Sequence, residues 1–130
     1  MLILGIFAYQ HDASACLVGD GQLLSFVEEE RLNREKHSSA FPELSIKYLL
    51  ENHNKKIEEV DYITISWKPR LEILNNFYNV LKNFPKSLNL IKAGATQNEI
   101  SLISRLKKQL YLKNEFKKFG FDLNSKTKII

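Results

Sequence analysis

A nearly unbroken apolar run, Leu2-Ile3-Leu4-Gly5-Ile6-Phe7-Ala8-Tyr9, passes directly into Gln10-His11-Asp12-Ala13-Ser14. A run this short and this apolar reads as a central strand, 2–9, covered on both faces. The strand must stop where the polar residues arrive, so a His, an Asp and a Ser ride in a loop at its end. A second strand follows at 14–18 and a third at 22–27, with Gly19-Asp20-Gly21 between them. Asp-Gly between two strand-like runs is a strong hairpin signal, because a tight two-residue turn needs positive φ. A chain that begins this way is committed to a sheet with polar groups held at one end of it.

The rest of the pattern adds helices to that sheet. Phe41-Pro42-Glu43 opens a helix over 42–52, with Pro in the first turn, Ser38 or Ser39 before it, and Leu44, Ile46, Tyr48, Leu49 and Leu50 at helical spacings. A helical turn at 57–61 leads into Tyr62-Ile63-Thr64-Ile65-Ser66-Trp67, whose alternation marks a fourth strand, 62–67. The class is α/β, and the order β-β-β-α-β is how the actin and sugar-kinase superfold, a ribonuclease H-like mixed sheet, begins. Residues 1–69 form the sheet and 70–125 are mainly helical. One helical face carries Leu71, Leu74, Phe77, Tyr78 and Leu81 up to Pro85, and another helix spans 97–119 with Gly120 as its stop. Lys126-Thr127-Lys128-Ile129-Ile130 reads as the start of a further strand, so the domain is expected to be incomplete.

Charge and cysteine content narrow the partners. The formal charge of +4 comes from residues 105–130, with eight Lys/Arg against two acids; residues 1–104 carry eleven against thirteen. Arg105, Lys107, Lys108, Lys113, Lys117 and Lys118 interleave with Leu106, Leu110, Leu112 and Phe116 as on an amphipathic helix. A solvated outer face is the preferred reading over a nucleic-acid site. The single cysteine, Cys16, excludes a disulfide framework or a cysteine-rich zinc site and reads as a buried, inert thiol. The apolar start lacks the basic n-region of a signal peptide, and no stretch approaches a membrane span, so the default compartment is the cytoplasm.

The groups able to carry chemistry lie in two segments. His11 and Asp12 can serve as a base near neutrality and its orienting carboxylate, or simply as turn residues. Arg31, Arg34, Lys36 and His37 suit phosphate recognition, or form a solvated charged segment with Glu28, Glu29, Glu30 and Glu35. Gly5, Gly19 and Gly21 make no dinucleotide fingerprint. His53 reads as a capping group at a helix end and Trp67 as core. The three histidines show no ligand spacing, so no metal site is assigned.

His11-Asp12-Ala13-Ser14, the Asp20-Gly21 turn, Glu28-Glu29-Glu30-Arg31, Arg34, Lys36-His37 and Phe41-Pro42 together resemble the start of the O-carbamoyltransferase family of nodulation-factor and antibiotic biosynthesis. The likeness is carried by residues 1–70. It implies a transfer domain that passes a carbamoyl group from carbamoyl-adenylate to a hydroxyl of a small molecule or sugar, beside a bound iron. A separate C-terminal domain would make the adenylate from carbamoyl phosphate and ATP. By the same likeness His11 and Lys36 are catalytic, and Asp12, Ser14, Arg31, Arg34 and His37 bind substrate. The family's His-His-x-x-x-His metal ligands would follow the strand that opens at 126. The chain is therefore expected to be an N-terminal part that binds no cofactor alone, is inactive alone, and has the remainder of the same protein as its partner. Two alternatives are a non-catalytic remnant and a small binding module using the basic helix.

Overall fold

The computed structural model describes residues 1–9, 11–66, 74–75, 78–79, 81–85 and 111–130. Two compact units divide the chain: Met1–Ser66 with Tyr111–Ile130, and Trp67–Leu110. The first is built on a five-stranded mixed sheet. In chain order its elements are β1 (Leu2–Phe7), β2 (Ser14–Gly19), β3 (Gln22–Glu28), the short α1 (Glu29–Asn33), α2 (Glu43–Asn52), a 3-10 turn (Ile57–Glu59), β4 (Tyr62–Ile65), α3 (Leu112–Lys118) and β5 (Lys128–Ile129). The sheet order is β3-β2-β1-β4-β5. β1, β2 and β3 pair antiparallel, while β4 runs parallel to β1 and β5 parallel to β4. This is the mixed α/β sheet in the β-β-β-α-β order expected from the sequence, with β1 central and residues 128–129 adding a further strand.

The hairpin forms where Asp-Gly demands it: Asp20 and Gly21 both take positive φ, at 50° and 81°. One irregularity follows it. Leu17 pairs with Ser25 but Val18 with Leu23, so Leu24 is an extra residue in β3. A Cβ on Gly19 would stand 2.9 Å from Leu24 Cδ1; the glycine leaves room for the displaced side chain.

Alternation along β1 decides where the core sits. Leu2, Leu4 and Ile6 are buried, while Ile3, Gly5 and Phe7 are only half-buried. Leu4 lies opposite Leu17 and Ile63, and Ile6 opposite Ala15 and Ile65, so these residues share one face. Ile46, Leu49 and Leu50 of α2 and Leu112 and Phe116 of α3 join them in a single cluster. Fully burying each such side chain contributes roughly 1.5–3 kcal/mol, which makes this layer the main source of stability. Phe41 binds the helices together, stacked on Phe119 at 4.8 Å between ring centres and edge-to-face with Phe116 at 5.1 Å.

Two expectations are corrected. β1 was expected to reach residue 9 and to be covered on both faces; it ends at Phe7, and its second face is half-buried. The chain leaves the sheet to make the polar loop, and Tyr9 takes a left-handed φ of 66°. Likewise β4 ends at Ile65, short of Trp67, which lies outside the described residues together with Leu71, Phe77, Arg105, Leu106, Lys107, Lys108 and Leu110. In the second unit the backbone is helical at 78–79 and 81–82, and Leu74, Tyr78 and Leu81 of the expected stripe are well exposed.

α3 stops where glycine allows it. Gly120 has φ of 80°, its N–H donates to Lys117 O, and the Phe121 N–H donates to Phe116 O at 2.9 Å. Phe121 then packs on Phe116, completing a Schellman-type stop. Lys113, Lys117 and Lys118 are exposed while Leu112 and Phe116 are buried, so the described part of the basic helix presents its charges to solvent. No helix among the described residues is long and apolar enough to cross a membrane.

Candidate functional site

The carboxyl ends of parallel strands β1 and β4 lie side by side, which is where α/β sheets ordinarily bind ligands. The loop after β1 is stitched there to the segment after α1. The Ala13 N–H donates to Ser38 O and the Glu29 N–H to Ala13 O, both at 2.8 Å. Asn33 Nδ2 donates to Ser38 Oγ at 3.1 Å. Asp12, Arg34 and His37 all take left-handed φ values of about 60°. Polar residues tolerate this region better than branched ones do.

Asp12 is the meeting point. Its Oδ2 lies 2.9 Å from His11 Nδ1 and its Oδ1 lies 2.8 Å from His37 Nδ1. A carboxylate only accepts, so both imidazoles carry hydrogen on Nδ1 and present Nε2 outward. The hydrogen bonds from His37 and His11 hold the Asp12 carboxyl below the usual carboxylate range. In return the hydrogen bond to Asp12, reinforced by its charge, raises the His37 imidazole. Glu30 Oε2 accepts the His37 backbone N–H at 3.1 Å and fixes the far side of the turn.

The other expected site residues divide. Lys36, next to His37, and Arg34, the C-cap residue that follows α1, are exposed. Arg31 instead turns to its own acids, 3.4 Å from Glu28 and 3.9 Å from Glu30. Ser14 is buried at the start of β2 and lines a shallow groove of about 280 Å³ with Gly5, Phe7, Cys16, Phe26 and Thr64. Cys16 is half-buried in that groove rather than fully buried, because it belongs to the second face of the sheet. His53 caps the end of α2 as expected, with Nε2 2.8 Å from Ser25 Oγ.

Sequence reasoning missed three acids and a phenol. Glu29 is not part of a solvated run: it is buried, and its carboxylate accepts the Leu44 N–H at 3.0 Å, the Ser45 N–H at 2.8 Å and the Ser45 hydroxyl at 2.6 Å. Pro42 at the head of α2 offers no side-chain cap, so the free N–H groups of the first turn need an acceptor from elsewhere. That lack was the available signal. Neither Ser38 nor Ser39 fills the role. Glu30 holds His37, and Glu115 accepts the hydroxyl of buried Tyr9 at 2.6 Å.

Among the described residues, Asp12, Glu30 and His37 bring ligand-type atoms within 4.8 Å of one another. Histidine spacing could not show this, since the cluster is made by tertiary contact. Here Asp12 Oδ1 accepts from His37 Nδ1 and Glu30 Oε2 accepts from the His37 backbone N–H, so the three side chains are held together by their own hydrogen bonds.

Residues 2–126 match the family model described as carbamoyltransferase N-terminus. An uncharacterized protein of Synechocystis is 38% identical over 116 residues, covering 89% of this chain and 18% of that protein. Nodulation protein NolNO of Sinorhizobium fredii is 49% identical over 55 residues, 42% of this chain and 8% of its own length. An uncharacterized protein of Methanocaldococcus jannaschii is 36% identical over 64 residues, 49% of this chain and 12% of its own. The chain thus spans less than a fifth of the length of these relatives.

Proposed function

This chain belongs to the carbamoyltransferase family, matching its N-terminal region, and on that premise we propose that it supplies the carbamoyl-transfer site of a larger enzyme. The observation that carries the reading is the His11–Asp12 pair: Nδ1 is committed to the carboxylate, which leaves Nε2 of an exposed ring as the nitrogen that can accept a proton. In this reading Nε2 takes the proton of the acceptor hydroxyl as its oxygen attacks the carbamoyl carbon of carbamoyl-adenylate. The new C–O bond forms, the bond from that carbon to the phosphate oxygen breaks, and AMP leaves. The anionic phosphate suits Lys36 and Arg34, exposed cations beside the His37 turn. Ser14 would contribute a hydroxyl at the groove. Arg31, paired to Glu28 and Glu30, contributes least.

Asp12 serves His11 as an orienting group, and His37 reaches substrate only through Nε2. ATP and carbamoyl phosphate belong in this reading to the remainder of the protein. So does iron, whose ligands the family likeness places after the strand that opens at 126.

The test uses full-length enzyme. His11→Ala and Lys36→Ala should each lower carbamoyl transfer by ~10²–10⁴-fold, the usual loss for a positioned acid/base group. Adenylate formation from ATP and carbamoyl phosphate should persist in both. His53→Ala, at the far end of α2, is the control. Transfer at the His53→Ala level in the other two variants would refute the assignment.

A further inference from the structure

Glu29 sits where the two site segments and the main helix meet. Its backbone N–H is bound to Ala13 O at 2.8 Å, directly behind Asp12. Its side chain, 3% exposed, takes three hydrogen bonds from the first turn of α2. Its neighbour Glu30 closes the His37 turn through the backbone N–H of that residue and receives the Arg34 N–H on its own carbonyl. α1 itself is five residues long and has no side-chain cap, so it holds little position by itself. The side-chain anchor is Glu29, because a buried carboxyl group that accepts from three donors cannot move without leaving them unpaired.

We propose that Glu29 is the positioning residue of the transfer site. By clamping the N-terminus of α2 it holds the Arg31–His37 segment in register with the His11–Asp12 turn. The assignment of a transfer site rests on the reading above; the clamp itself rests on geometry alone. A side chain that merely added stability would leave the folded site unchanged when replaced. A clamp would let the Asp12–His37 contact open while the sheet stayed folded. The charged groups facing His37 are Asp12 from the first loop, Glu30 from α1 and Lys36 beside it.

The experiment is an NMR titration of the imidazoles in the 130-residue chain, wild type against Glu29→Gln. Glutamine keeps one acceptor oxygen but turns an NH₂ toward the donors of Leu44 and Ser45. The His37 midpoint should fall back toward the ordinary histidine value while the amides of Leu4, Leu17 and Ile63 keep their wild-type positions. Ser45→Ala, which removes one of the three donors, should shift His37 in the same direction by less. A His37 midpoint that stays raised in folded Glu29→Gln overturns the proposal. Should Glu29→Gln fail to fold, hydrogen exchange in the wild type decides: the amides of Ala13, Glu29, Leu44 and Ser45 should open together, and separate opening of the first two from the last two overturns it. No substrate enters either measurement. A full-length enzyme without transfer activity would therefore refute the functional reading and leave the clamp standing.

Discussion

Replacing Gly5 by alanine tests the packing between the three central strands most directly. The added Cβ would stand 2.6 Å from Cys16 Sγ and 3.3 Å from Thr64 Oγ1. The first distance is about an ångström shorter than ordinary carbon contacts allow, and Gly5 is paired to Cys16 on one side and Thr64 on the other. Overpacking of this kind costs about 1–3 kcal/mol. Removing a strand glycine returns roughly 0.5–1 kcal/mol of chain entropy. The clash wins, and the net loss should be about 1–2 kcal/mol. Urea unfolding followed by circular dichroism reads it as a midpoint lower by roughly 0.5–1 M at an unchanged m-value of ~1–3 kcal/mol/M. Cys16→Ala removes the sulfur, so the Gly5→Ala, Cys16→Ala double variant should recover most of the loss, with a coupling of about 1 kcal/mol or more. Gly5→Ala as stable as wild type, or a loss that persists without the sulfur, would refute the reasoning.

Tyr9→Phe removes the hydroxyl that Glu115 accepts; stability should fall by about 1–2 kcal/mol in the same unfolding assay, because a half-buried acceptor loses its donor. Burial and the Glu115 carboxylate also raise the Tyr9 phenol, so it should stay protonated when exposed tyrosines ionise, as absorbance titration would read. Stability should depend on pH through the Asp12–His37 pair. His37 is raised in the folded state, so its contribution is full below the unfolded histidine value and is lost as pH rises through the folded one. Asp12 is lowered, so its contribution is present above the unfolded carboxyl value and is lost as pH falls through the folded one. The pair should therefore support the fold best between about pH 4 and 6.5, and Asp12→Asn should flatten the pH dependence of the unfolding midpoint on both sides of that window.

Local chemistry settled much of this protein in advance. The period-2 alternation of Ile63 and Ile65, the Asp20-Gly21 turn, the apolar stripe of Ile46, Leu49 and Leu50, and Gly120 as a helix stop are each decided within a few residues of chain. The sequence of a short segment therefore carries them. The motif His11-Asp12-Ala13-Ser14 and the pair Lys36-His37 were legible for the same reason, and so was the family. What the sequence could not decide is which charges are solvent and which are structure. Glu28, Glu29 and Glu30 are one run of identical letters, yet Glu28 pairs with Arg31 at the surface, Glu29 is buried under α2, and Glu30 closes the His37 turn. Glu28 and Glu30 are sorted by the turn of α1 and the loop after it, while the partners of Glu29 lie 15 and 16 positions away and meet it only when α2 packs on the sheet. The same holds for Asp12, whose second imidazole lies 25 residues along the chain, and for Tyr9, whose partner lies 106 residues away. Hydrogen bonding is short-ranged and directional, so identity at one position fixes what a group can donate or accept, and only the folded chain fixes to whom.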